Sequence, residues 1–147
     1  MREGSAVKGV EDMEAWQLAR ELTIDVYGLT KEPPFAKDFG LKERIQDAAA
    51  SSMHNAAVGF DSETSAEFIR FLRYAKRSCT EVQSQLYVVL DNKHITQEQF
   101  DSVYVQARRT RAAILGFINY LVKYNKNPSH GRVSDMCAEY KTDNHEP

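Results

Sequence analysis

The sequence predicts an all-α protein, a four-helix bundle whose helices run up, down, up and down, each antiparallel to the next. Three observations carry this reading. Apolar residues recur every three or four positions through most of residues 12–124, the period of one helical face. All four prolines, at positions 33, 34, 128 and 147, lie outside those periodic runs. Two runs open on the pattern of a helix-capping box, Thr64-Ser65-Ala66-Glu67 and Thr96-Gln97-Glu98-Gln99.

The first helix is expected to start with Asp12 as N-cap and to run to about Thr30, with Ala15, Leu18, Ala19, Leu22, Val26 and Leu29 on its inner face. Lys31-Glu32-Pro33-Pro34 ends it, because proline lacks an amide proton and restricts the residue before it. A second helix follows from about Phe39 to Val58, with Leu41, Ile45, Ala48, Ser52 and Ala56 facing inward and Gly59 as its C′ residue. Its small residues, Ala48 to Ser52 and Ala56-Ala57, let a neighbour approach closely. In the third helix Phe68, Leu72, Ala75, Cys79, Val82, Leu86 and Val89 form a seam spaced 4-3-4-3-4-3. In the fourth, Phe100, Val103, Ala107, Thr110, Ile114, Phe117 and Leu121 form the complementary one. Only Asp91-Asn92-Lys93-His94 separates the two, so they are expected to pair as an antiparallel hairpin on which the first two helices pack.

These boundaries divide the chain into a flexible N-terminus (1–10), the bundle (11–124) and a polar, mostly disordered C-terminal tail (125–147). A chain of 147 residues fits one core, and its 27% charged and 42% hydrophobic residues are ordinary globular composition. No apolar run reaches the roughly 18 residues of a membrane span and no signal-peptide core opens the chain, so a cytoplasmic protein is expected. Cys79 and Cys137 read as reduced thiols. The net charge of −2 conceals an asymmetry: residues 1–63 hold 7 basic and 12 acidic residues, residues 64–124 hold 9 and 5.

The chemistry of catalysis needs particular side chains at particular spacings, and the familiar arrangements do not occur. There is no Gly-rich phosphate loop, His-Glu-x-x-His helix, Cys-x-x-Cys pair or calcium loop. His54, His94, His130 and His145 share no helical face at ligand spacing, and the Glu-x-x-His of di-iron bundles is missing. Cys79 lies on the apolar seam without a basic activator, which favours core packing over reactivity. No catalytic residue, metal, cofactor, small-molecule substrate or membrane partner is expected.

Two surface features remain. Arg70, Arg73 and Arg77 recur opposite the third helix's seam with Lys76 beside them, and antiparallel pairing would bring Arg108, Arg109 and Arg111 near Arg77. Such a cluster could hold phosphates, with Tyr74 and Tyr104 available for stacking, or could be a solvated face paired with carboxylates. Separately, Trp16, Ile24, Tyr27, Phe71, Tyr74, Tyr104, Leu115 and Ile118 lie off the seams. Of these, Trp16, Tyr27, Phe71, Tyr74, Leu115 and Ile118 are the candidate oligomer interface, since a bundle with apolar residues left over commonly has a second surface to cover.

Several segments together resemble the S23 family, four-helix bundles named after proteins encoded by intervening sequences in bacterial 23S ribosomal RNA. Glu11-Asp12-Met13-Glu14-Ala15-Trp16-Gln17-Leu18-Ala19 is similar to that family's Asp-Leu-x-Val-Trp-Gln-x-Ala opening, and Asn55-Ala56-Ala57-Val58-Gly59 to its Asn-Ile-Ala-Glu-Gly signature. Glu67-Phe68 through Thr80-Glu81 resembles its Asp-Phe-x-x-Phe-Leu-x-Ile-Ala-x-Gly-Ser-x-x-Glu segment. Val58 stands where the signature has Glu, Arg77 where it has Gly, and Gln46-Asp47 where many members have paired arginines. The resemblance implies a homopentamer without established enzymatic activity, acting as a scaffold or adaptor. A related branch, the accessory variability determinants of diversity-generating retroelements, implies the alternative: an RNA- or DNA-binding accessory protein partnering a reverse transcriptase or ribosomal RNA.

Overall fold

The computed structural model describes residues 9–125 and 133–145, and every regular element among them is helical. The helices are α1 (Glu14–Leu29), α2 (Phe39–Phe60), α3 (Ser65–Asp91), α4 (Gln97–Tyr124) and α5 (Val133–His145). Short 3-10 turns at Val10–Asp12 and Phe35–Lys37 lead into α1 and α2. Residues 1–8 of the expected N-terminal segment lie outside the described residues.

The periodic runs become the core. All seven seam residues of α3 and all seven of α4 are buried, and they meet Ala15, Ala19, Leu22 and Val26 of α1 and Ile45, Ala48, Ala49 and Ala56 of α2. Main helices pack in sequence order, α1 on α2, α2 on α3 and α3 on α4, with α1 also against α4. Phe68 meets Phe117 edge-on with ring centroids 5.3 Å apart, Arg111 donates to Thr80 at 3.0 Å, and Tyr87 packs on Phe100 at 4.9 Å. Two buried hydroxyls find partners on neighbouring helices: Thr110, which donates to the Gln106 carbonyl of its own helix at 2.8 Å, also lies 3.3 Å from the Leu18 carbonyl oxygen, and Ser78 bonds Ser51 at 3.0 Å. That satisfaction matters, because an unpaired buried hydroxyl costs about 1–3 kcal/mol.

Four local expectations are corrected. Asp12 lies in the 3-10 turn, and Met13, without a capping side chain, precedes α1. The Thr96/Gln99 box is complete, with reciprocal bonds of 3.1 and 2.9 Å. At Thr64 only the threonine half forms, donated by the Glu67 amide at 3.2 Å, while the Glu67 carboxylate pairs with Arg70 at 3.4 Å. Gly59 does not cap α2 in a left-handed conformation: α2 runs on to Phe60, and no described glycine has positive φ. Its small size serves the contact with α3.

The fourth correction is the tail. Residues 133–145 form α5, with Val133, Met136 and Cys137 buried and Tyr140 against Phe117 (4.6 Å) and Tyr120 (5.0 Å). Three apolar residues and one tyrosine suffice because the bundle supplies an apolar surface to receive them, which local polarity does not reveal. Residues 126–132, 146 and 147 of the expected tail lie outside the described residues.

At one end of the bundle the α3–α4 turn meets the segment before α2. Lys93 takes φ 60°, which turns the chain so that His94 reaches Asp38, Nε2 to Oδ2 at 2.9 Å. The His94 ring stacks on the fully buried Phe35 at 5.4 Å. The hydrogen bond from His94, aided by the Leu41 amide, holds the Asp38 carboxyl below its ordinary value.

Candidate functional site

Of the seven candidate cations, Arg109 is held apart from the others by its own hydrogen bond. Arg70 and Arg77 flank the Tyr74 ring, at 5.9 and 5.8 Å from its centroid, and Arg70 also lies 5.1 Å from Phe71. This is a cation–π ladder on one side of α3. Arg111 is tied to Thr80, which stands one heptad after Arg73 and one turn after Arg77, so helix geometry puts Arg73, Arg77 and Arg111 on neighbouring faces of α3 and α4. Arg108 is exposed one turn before Arg111. Arg109 belongs elsewhere, donating at 3.5 Å to Gln106, whose amide in turn donates to Glu21 of α1 at 3.2 Å. Among the described residues, only Arg70 of the seven has a carboxylate within ion-pair distance.

The proposed interface residues divide as well. Tyr27 and Tyr74 are exposed, while Trp16, Phe71 and Leu115 are partly covered, Trp16 with Arg20 over its ring at 5.9 Å. Ile118 is corrected: it is only 3% exposed and belongs to the chain's own core, because it sits beside Phe117 on the buried side of α4. Phe39, Val58, Tyr87, Val88 and Val105, which lie off the seams, are also exposed. Their signal was available in part, since Tyr87 and Val88 lie between the seam positions Leu86 and Val89 and cannot face inward with them.

A recess lies where α1 begins, against α4 and α5, lined by Met13, Ala15, Phe117 and Cys137 together with Glu14, Gln17 and Lys141. Burial pushes the Cys137 thiol up to about 12, and the seam thiol of Cys79 likewise to about 12. Neither is a thiolate near neutral pH. Among the described residues no three His, Cys, Asp or Glu side chains gather to hold a metal, and no helix is long and apolar enough to cross a membrane.

These features define a class: an all-helical bundle protein whose distinctive surfaces are exposed aromatic, aliphatic and arginine side chains. The model of the family described as 23S rRNA-intervening sequence protein matches residues 11–116, and the chain belongs to that family. A crystal structure of a protein of unknown function from the S23 ribosomal protein family of Bacteroides thetaiotaomicron superposes with a TM-score of 0.65 at 19% identity, covering 71% of this chain and 97% of that one. That likeness shows a shared fold. No curated protein matches the chain. Helix α5 lies beyond the span of the family match.

Proposed function

We propose that this chain is a non-enzymatic, homo-oligomeric four-helix bundle of the cytoplasm that acts as a scaffold or adaptor. An up-down-up-down arrangement is supported by the α3–α4 contacts, where residues 68, 80 and 87 meet residues 117, 111 and 100 in reversed order. One observation carries the oligomer. Ile24, Tyr27, Phe39, Val58, Tyr74, Tyr87, Val88 and Val105 remain exposed after the core has closed. Apolar side chains left in such number favour a second interface, each worth up to about 1.5–3 kcal/mol when fully covered. Five copies is the number the S23 resemblance implies. Light scattering across micromolar concentrations tests association: a mass that stays at 16.8 kDa throughout would end this reading.

A second reading, an RNA- or DNA-binding accessory protein, is favoured by one observation, the lack of carboxylate partners around Arg73, Lys76, Arg77, Arg108 and Arg111 among the described residues. Guanidinium groups without a carboxylate partner can engage phosphates in pairs of hydrogen bonds. Binding to mixed-sequence nucleic acid would weaken steeply with salt and be lost in Arg73→Glu with Arg111→Glu. No binding at low salt excludes it.

A further inference from the structure

Phe39, the first residue of α2, is the most exposed large apolar side chain among the described residues, at 72%. At the same end of the bundle, α1 and α4 border a shallow, open groove lined by Ile24, Gly28, Leu29 and Val103. The shared end follows from two contacts: Asp38, next to Phe39, bonds His94 just before α4, and Glu98 and Gln99 of the first turn of α4 line the groove.

Gly28 keeps that groove open. A Cβ built on it would meet nothing within 4 Å, and its backbone is not in the left-handed region, so neither space nor conformation inside the subunit calls for glycine. An incoming side chain from outside would use the room.

Charge indicates which surface enters. The groove is edged by Asp25 and Glu98, and among the described residues neither has a cation within ion-pair distance. Asp25 is held above its ordinary value by partial burial and by the nearby Glu21, the state of a carboxylate short of a cation. Beside Phe39 stand Lys37 and Lys42, which also have no carboxylate within ion-pair distance among the described residues.

We propose that Phe39 of one copy inserts over Gly28 of the next, with Lys37 and Lys42 meeting Asp25 and Glu98 at the groove's edge. The two patches differ, so the contact is head-to-tail and repeats from copy to copy, as ring closure requires. This rests on the oligomer reading above and names the surfaces that would build it.

The test compares the 147-residue chain with four variants by light scattering, with circular dichroism to confirm helical content. Gly28→Leu fills only open space, so it should keep the wild-type helical spectrum while weakening association at least about tenfold; Phe39→Ser should do the same. Asp25→Lys with Glu98→Lys should also dissociate the protein. Adding Lys37→Glu and Lys42→Glu to that variant should restore assembly, because the charges then match again with their signs exchanged. An assembled wild type whose mass is unchanged by both Gly28→Leu and Phe39→Ser overturns this pairing alone. A monomeric wild type overturns the oligomer reading itself.

Discussion

A Cβ placed on Gly59 of α2 would lie 2.9 Å from Cδ1 of Phe68 in α3, and 3.2 Å from the Cβ of Phe71. Phe68 is fully buried, so its ring cannot swing away without disturbing Phe117, which it meets edge-on. Gly59→Ala should therefore destabilise the fold by about 1–3 kcal/mol, although alanine is the better helix former. Gly40→Ala is the control: it enters open space in α2 and should be neutral or stabilising by up to about 1 kcal/mol. Chemical denaturation of both variants decides; a Gly59→Ala protein as stable as wild type would mean that the α2–α3 contact is looser than described.

Leu86 and Ile114 are each fully buried on the facing seams of α3 and α4. Truncating either to alanine should cost about 2–5 kcal/mol, the range for a large aliphatic residue removed from a packed core. Losses below about 1 kcal/mol at both sites would contradict the core described here.

Those seams were legible because a heptad-like spacing survives only when one face of a long helix is buried throughout, and every seam residue is. Elsewhere the signal was local or absent. Phe35 is fully buried in a three-residue 3-10 turn, too short to show any period. Gly59 carries the sequence mark of a helix end but serves a close helix approach, and only the neighbour's position tells these apart. Ile118 and Leu115 flank the same seam, and a rotation of a few tens of degrees decides that the first is core and the second partly exposed. Helix α5 depends on the surface that receives it. The arginines were each visible, but their division between the Tyr74 ladder, the Thr80 side and Gln106 is a tertiary outcome.

The Asp38–His94 contact makes a prediction about acid stability. The Asp38 carboxyl is depressed in the folded state, so its contribution is full above the ordinary value of 3.8 and is lost as pH falls through the lower folded value. Asp38→Asn removes that titration while retaining a capping side chain for the Leu41 amide. The stability gap between wild type and Asp38→Asn should shrink as pH falls below about 4. A gap that widens on acidification would reverse the assigned sign.

The two thiols report on packing. With both values near 12, the thiolate fraction at pH 8 is about one in ten thousand, so neither Cys79 nor Cys137 should react with a disulfide reagent over minutes in the native protein. Both should react at once in denaturant. Selective, rapid labelling of Cys137 would mean that α5 leaves the bundle readily, while Cys79 reacting first would contradict its place on the α3 seam.

Covering of the exposed apolar residues by further copies of the chain is the proposal on which the oligomer rests. Native mass spectrometry of the 147-residue chain, sprayed at micromolar concentration, counts those copies directly. One dominant species is expected at about five times the 16.8 kDa chain mass. A spectrum containing only the 16.8 kDa chain, at every concentration tried, would contradict it.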